Sequence, residues 1–205
     1  MHFLKSRSRV VAAAAIVVLL AVGSWLVFKP KHQSLTPQNP QPVGVQAGQT
    51  TTGQRGADPT KLVTIETADF SYAKPAGWAE ISPKALNGAN SGIGRPTVPV
   101  ATFTIKVSSV VPKDDAEVKD SVLSAPKYLP NFGLISSEST KVNGQPGQKF
   151  IYSYTDSKGS NKITSNMSVV VYKQRSFFLL FSSGADDYDK QVGDFDKILA
   201  SFKFK

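Results

Sequence analysis

The 205-residue sequence contains no cysteine, and its two histidines, His2 and His32, both lie near the start. Without cysteine there is no disulfide framework, no thiolate zinc site and no thiol nucleophile. A bacterial lipoprotein anchor, which needs a lipidated cysteine, is excluded with them. The stretch from residue 61 onward has no histidine. It therefore has no Ser-His-Asp triad, no imidazole base and no imidazole metal ligand. No G-x-G-x-x-G or G-x-x-x-x-G-K-[ST] signature and no EF-hand spacing is present either.

What is present divides into parts by composition. Residues 1–9 form a short basic segment with Lys5, Arg7 and Arg9. Val10–Phe28 is then an uncharged run of 19 residues in which Ser24 is the only polar side chain. As a helix it would span about 28 Å, close to the hydrocarbon core of a bilayer. Val10, Ile16 and Leu20 would face lipid, with Trp25 and Phe28 at the outer interface, where aromatic rings are favoured. Three basic residues precede the run and Lys29 and Lys31 follow it, which favours an N-inside orientation. The expectation is a single-pass anchor that contacts membrane lipid and leaves the C-terminal domain extracytoplasmic. The alternative is a signal peptide cleaved after Ala21-Val22-Gly23, which would release the domain.

Residues 30–60 include five Pro, six Gln, five Thr and four Gly, with Leu35, Val43 and Val45 as the sizeable apolar residues. Too little apolar surface is available there to offset chain entropy, so a disordered linker is expected. The globular domain is expected over 61–205. It carries 18 Lys+Arg and 14 Asp+Glu, a net charge of +4 within the +9 of the whole chain.

Within that domain, strand patterns are read at Leu62–Thr67, Phe70–Tyr72, Ala101–Val107, Leu134–Ser137, Lys149–Thr155, Ile163–Lys173 and Phe177–Ser182. The last is apolar on both faces, which places it at the centre of a sheet covered on both sides. Asn143-Gly144 and a tight Gln174-Arg175 connection are turn signals that imply antiparallel neighbours. Asp114 with Glu117 forms a capping box for a helix ending at Pro126. Tyr188, Val192, Phe195, Ile198, Leu199 and Phe202 form an apolar stripe at helical spacing. The expected class is α+β, a central antiparallel sheet flanked by helices.

Three stretches carry a family resemblance: F-S-Y-A-K-P-A-G-W at Phe70–Trp78, V-N-G-Q-P-G at Val142–Gly147, and the closing I-L-A-S-F-K-F at Ile198–Phe204. They resemble the PsbP-like family, which includes extrinsic photosystem proteins and bacterial PsbP-related proteins. The resemblance implies an α/β/α sandwich over about residues 61–205. It also implies a non-enzymatic module that docks on other proteins, with occasional divalent metal binding, and it assigns no catalytic or cofactor-binding residue.

The residues themselves leave other chemistry open. Lys84–Pro96 reads as a long polar loop in which Gly88, Gly92 and Gly94 would admit a ligand to the backbone and Arg95 would hold an anion. Asp114, Asp115, Glu117 and Asp120, or Asp186, Asp187 and Asp189, would offer oxygens to calcium, although helix capping and the helix dipole explain most of them. Glu80 near Trp78 is a candidate general acid for a carboxylate hydrolase. Phe150, Tyr152, Tyr154 and Tyr172 with Lys149, Lys173 and Arg175 would suit stacked bases only if exposed, and no dense basic run accompanies them. The expected function is therefore docking on a protein partner at the cell surface, without cofactor, nucleic acid or enzymatic activity. A small-ligand or divalent-metal receptor is the alternative.

Overall fold

A computed structural model describes residues 63–96, 100–124, 126–156 and 159–205. The expected anchor over 10–28, the Ala21–Gly23 cleavage motif and the linker over 30–60 lie outside the described residues. Among the described residues no helix is long and apolar enough to cross a membrane.

The strands are β1 (Val63–Glu66), β2 (Phe70–Lys74), β3 (Ala79–Glu80), β4 (Ser91–Arg95), β5 (Ala101–Ser108), β6 (Gly133–Val142), β7 (Gln145–Thr155), β8 (Lys162–Tyr172), β9 (Arg175–Gly184) and β10 (Lys203–Phe204). The helices are α1 (Asp115–Leu123) and α2 (Tyr188–Ser201). Seven strands form one antiparallel sheet in the order β3-β4-β5-β9-β8-β7-β6. A second sheet has the order β1-β2-β10.

The large sheet is organised around β9. Phe177, Leu179 and Phe181 point to one face and Phe178 and Leu180 to the other, and all five are buried. On the first face the sheet meets α2 and the small sheet. Phe181 stacks on Phe195 of α2 at 5.2 Å, while Phe70 of β2 stacks on Phe202 at 5.5 Å. On the second face it meets α1, through Val118 and Val122, and the segment carrying Leu129 and Phe132. At the start of α1, Asp114 accepts from the Glu117 amide at 2.8 Å, and the Glu117 carboxylate accepts from the Lys113 amide at 2.7 Å. The capping box thus reaches one residue farther back than its usual form.

The antiparallel α+β class holds, with three departures from the expected arrangement. β1 and β2 leave the central sheet and pair with β10, so the first face is covered by a helix and a small sheet together. A two-residue strand has no readable period, and Phe202, the C-cap of α2, continues the spacing of the helical stripe. The expected loop at Lys84–Pro96 is a short turn, Pro83–Ala85, followed by β4. Glycine-rich S-G-I-G-R has little strand propensity of its own, and pairing with β5 makes it a strand. The tight turn between β8 and β9 falls at Lys173-Gln174, not Gln174-Arg175.

That turn has a cost. Lys173 and Gln174 sit at φ +47° and +56°, the left-handed region that Asn143 and Gly144 occupy in the β6–β7 turn at +47° and +76°. Two residues with ordinary side chains are held where Asn-Gly is preferred. K173N/Q174G is expected to stabilise the chain by about 1 kcal/mol, raising the melting midpoint by roughly 3 °C. Thermal unfolding followed by circular dichroism measures this, and an unchanged or lowered midpoint would contradict it.

Candidate binding site

The glycine-rich residues expected to form one ligand loop do not converge. Gly88 lies in a turn at φ +86°, and its carbonyl accepts from Lys106 Nζ at 2.5 Å. Gly92 and Gly94 are one register step either side of Ile93 in β4, on the second face. A Cβ at Gly92 would stand 2.8 Å from Leu86 Cδ2 and 3.1 Å from Thr104 Cγ2, so this glycine admits neighbouring side chains rather than a ligand. Arg95 points to the first face, donating to Gln191 Oε1 of α2 at 3.3 Å.

Three of the clustered acids have local duties. Asp114 and Glu117 form the helix cap, and Asp187 pairs with Lys190 at 3.0 Å. Among the described residues no group of three His, Cys, Asp or Glu side chains stands where it could hold a metal ion. Glu80 is exposed, 3.9 Å from Lys74, whereas Trp78 turns into the core and donates to Asp194 at 3.3 Å. Phe150, Tyr152 and Tyr154 are buried, so they offer no stacking platform.

The sheet register assembles a group of residues far apart in sequence. Gly94, Thr102, Ser182, Ser165, Tyr152 and Leu134 are successive partners across β4, β5, β9, β8, β7 and β6. Direct cross-strand partners share a face. A row of four hydroxyl side chains therefore crosses the second face, none more than 4% exposed. Ser165 Oγ and Ser182 Oγ are hydrogen-bonded at 2.8 Å. Tyr154, two residues beyond Tyr152, lies on the same face, with the two rings stacked at 6.2 Å.

The two phenols are 0% and 1% exposed, and neither hydroxyl has a hydrogen-bond partner. Burial raises both phenol pKa values, that of Tyr154 to about 12. The neighbouring Ser165 hydroxyl offsets a little of the rise, although neither pair reaches hydrogen-bond geometry. Both groups are thus protonated donors throughout the physiological range. A third unpartnered hydroxyl, Ser124 Oγ, follows α1, the helix covering this face. On the opposite face Asn166 Nδ2 donates to the Tyr188 hydroxyl at 3.2 Å, while Asn166 Oδ1 and Ser168 Oγ are unpartnered.

The sequence pattern hides this row because serine and threonine in a strand read as the wet face. Strand β8, K-I-T-S-N-M-S-V-V-V-Y, did carry a signal. Thr164, Ser165, Asn166 and Ser168 place polar groups on both faces of a strand that lies between two long neighbours.

At the sheet's end, β6 pairs with β7 on one side, and no described strand pairs with its other side. Ile135, at a register shift between Leu134 and Ser136, is 60% exposed, and Tyr128 in the preceding turn is 81% exposed.

The buried phenols make stability depend on alkaline pH. Tyr72, whose hydroxyl bonds Ser91 Oγ at 2.8 Å, is also raised by burial to about 12 from an ordinary 10.0. Between pH 10 and about 12 the folded chain keeps protons that the unfolded chain releases. Stability is therefore complete below pH 10 and falls as pH rises through that window. A melting-temperature series read beside phenolate absorbance should show ionisation of Tyr72, Tyr152 and Tyr154 only with unfolding. Titration of all six tyrosines near pH 10 without loss of structure would contradict this.

No family model matches the chain, and no curated protein matches it in sequence. Solved structures match it in fold. LpqN of Mycobacterium tuberculosis, a protein involved in cell envelope biogenesis, has a TM-score of 0.50 at 15% identity, covering 71% of this chain and 91% of LpqN. Cyanobacterial PsbP from Synechocystis gives 0.49 at 16% identity over 76% and 98%. The Ran-binding protein Mog1p of Saccharomyces cerevisiae gives 0.47 at 8% over 70% and 96%. At these identities the likeness is one of fold alone, and it is the fold of LpqN that the chain shares.

Proposed function

We propose that the chain is a membrane-tethered, non-enzymatic docking domain that works on the outer side of a membrane, with β6 as its contact edge. The observation that carries this reading is β6 itself. Ten residues of strand have an edge with no described partner, and the exposed apolar side chains Leu134, Ile135 and Tyr128 occur at one end and in the turn before it. Edge strands are ordinarily blunted by charge, bulges or cover. Here the irregularity is confined to Ile135 at the start of the strand and Glu138 is ion-paired with Lys149 of β7, so Ser136–Val142 remains open to an extended segment of a partner, which would add a strand by main-chain hydrogen bonds. Apolar exposure at one end supplies a hydrophobic contact.

The tether belongs to the sequence. The uncharged run Val10–Phe28 and the Pro- and Gln-rich stretch 30–60 would hold the domain near membrane partners and raise its effective concentration there. LpqN, described as involved in cell envelope biogenesis, is in keeping with a place of work at the cell envelope.

Two measurements test the reading. Protease added to intact cells is expected to digest the domain at 63–205 while the remainder of the chain stays with the membrane. Protection of the domain would overturn the orientation, and loss of all chain from the membrane would indicate cleavage after Gly23. A photo-crosslinking residue at Ser137 or Ser139 is expected to yield a discrete higher-mass protein adduct, lost in Leu134→Lys/Ile135→Lys. Absence of any discrete adduct along β6 would overturn docking at this edge.

A further inference from the structure

We infer that the hydroxyl cluster on the second face is a binding site for a small uncharged molecule bearing an oxygen acceptor, such as an ester, amide or alcohol. The inference is independent of docking at β6 and uses different residues. Each hydroxyl carries one donated proton and two acceptor lone pairs. Among Tyr152, Tyr154, Ser165 and Ser182, the only bond satisfied within the cluster joins the two serines. The two phenol protons are left without an acceptor, on side chains stacked against each other and both beside Ser165. A buried hydroxyl left unpaired keeps its full desolvation cost, so two of them on neighbouring rings favour an occupant that accepts. A single carbonyl, ether or hydroxyl oxygen has two lone pairs and would take both.

The surroundings choose the class. Phe132 lies 5.9 Å from the Tyr152 ring, and Met167, Ile163 and Leu180 belong to the same apolar layer, which suits a compact apolar body behind the oxygen. Among the described residues no fully buried side chain is charged, so nothing within this layer would compensate an anion. Gly94 ends the row on the β4 side with no side chain of its own.

Met167 makes the test clean. The chain has two methionines, Met1 and Met167, and Met167 is 1% exposed in the same core layer as both tyrosines. With methyl-labelled methionine in the full chain, ethyl acetate and N-methylacetamide are titrated against the Met167 resonance, with Met1 as internal control and acetate as the anionic comparison. A saturable Met167 shift is expected with a neutral probe and none with acetate. In Tyr152→Phe/Tyr154→Phe the apparent affinity is expected to fall by about a hundredfold, roughly tenfold for each of the two lost hydrogen bonds. Phenylalanine keeps both rings and removes the unpaired groups, so this variant is expected to fold, and Tyr154→Phe alone gives a milder second case. No saturable shift with either neutral probe, an equal response to acetate, or an undiminished response in the double variant would each overturn the site.

Discussion

Everything in this domain depends on one constraint: β8 and β9 are adjacent, antiparallel and buried on both faces. A strand pair that hides both sides cannot end at solvent, so two separate layers must cover it. The chain meets this with α2 and the three-stranded sheet on one side and with α1 and its following turn on the other. The aromatic contacts follow from that demand. Phe177 meets Phe204 at 4.9 Å and Tyr172 meets Phe204 at 4.9 Å, so a two-residue strand after the last helix seals the lower part of the first face.

The same constraint explains why polar groups are buried in the sheet. Covering layers made from a nine-residue helix and short turns reach past the apolar rows and close over Thr102, Ser165, Ser182 and the two tyrosines as well. Once dry, those hydroxyls must find partners among themselves, and the four-strand register leaves the phenols without any. The outer strand β6 largely escapes the constraint: of its ten residues only Val142, at its end, is buried, in the core of the first face. Its side chains are mostly exposed, and its serine-rich composition matches that position.

How much of this was legible in the sequence follows from what each residue class reports. The two-sided apolar block Phe177–Ser182, the stripe from Tyr188 to Leu199 and the Asp114–Glu117 cap are local signals, and each found its place, while Phe202 lies just past the helix in extended backbone. Asn143-Gly144 marked its turn because that dipeptide is built for the left-handed region, whereas Lys173-Gln174 makes the same turn with residues that give no warning. Strands β3, β4 and β10 were invisible because they are short or glycine-rich and exist only through pairing. The hydroxyl row was hidden for a deeper reason: it is a product of register, set by which residue of β7 lies opposite which residue of β8. The glycine-rich stretch drew attention for its composition, yet Gly92 is there so that Leu86 and Thr104 can pack.

Amide hydrogen exchange compares these layers directly. In the purified full chain β8 and β9 are expected to exchange slowest and β6 quickly along Gly133–Val142, with β6 becoming selectively protected when membranes of the native cells, the proposed place of docking, are added. Equal exchange of β6 in both settings, with protection appearing on another face, would contradict the account of β6 as the edge through which this domain docks.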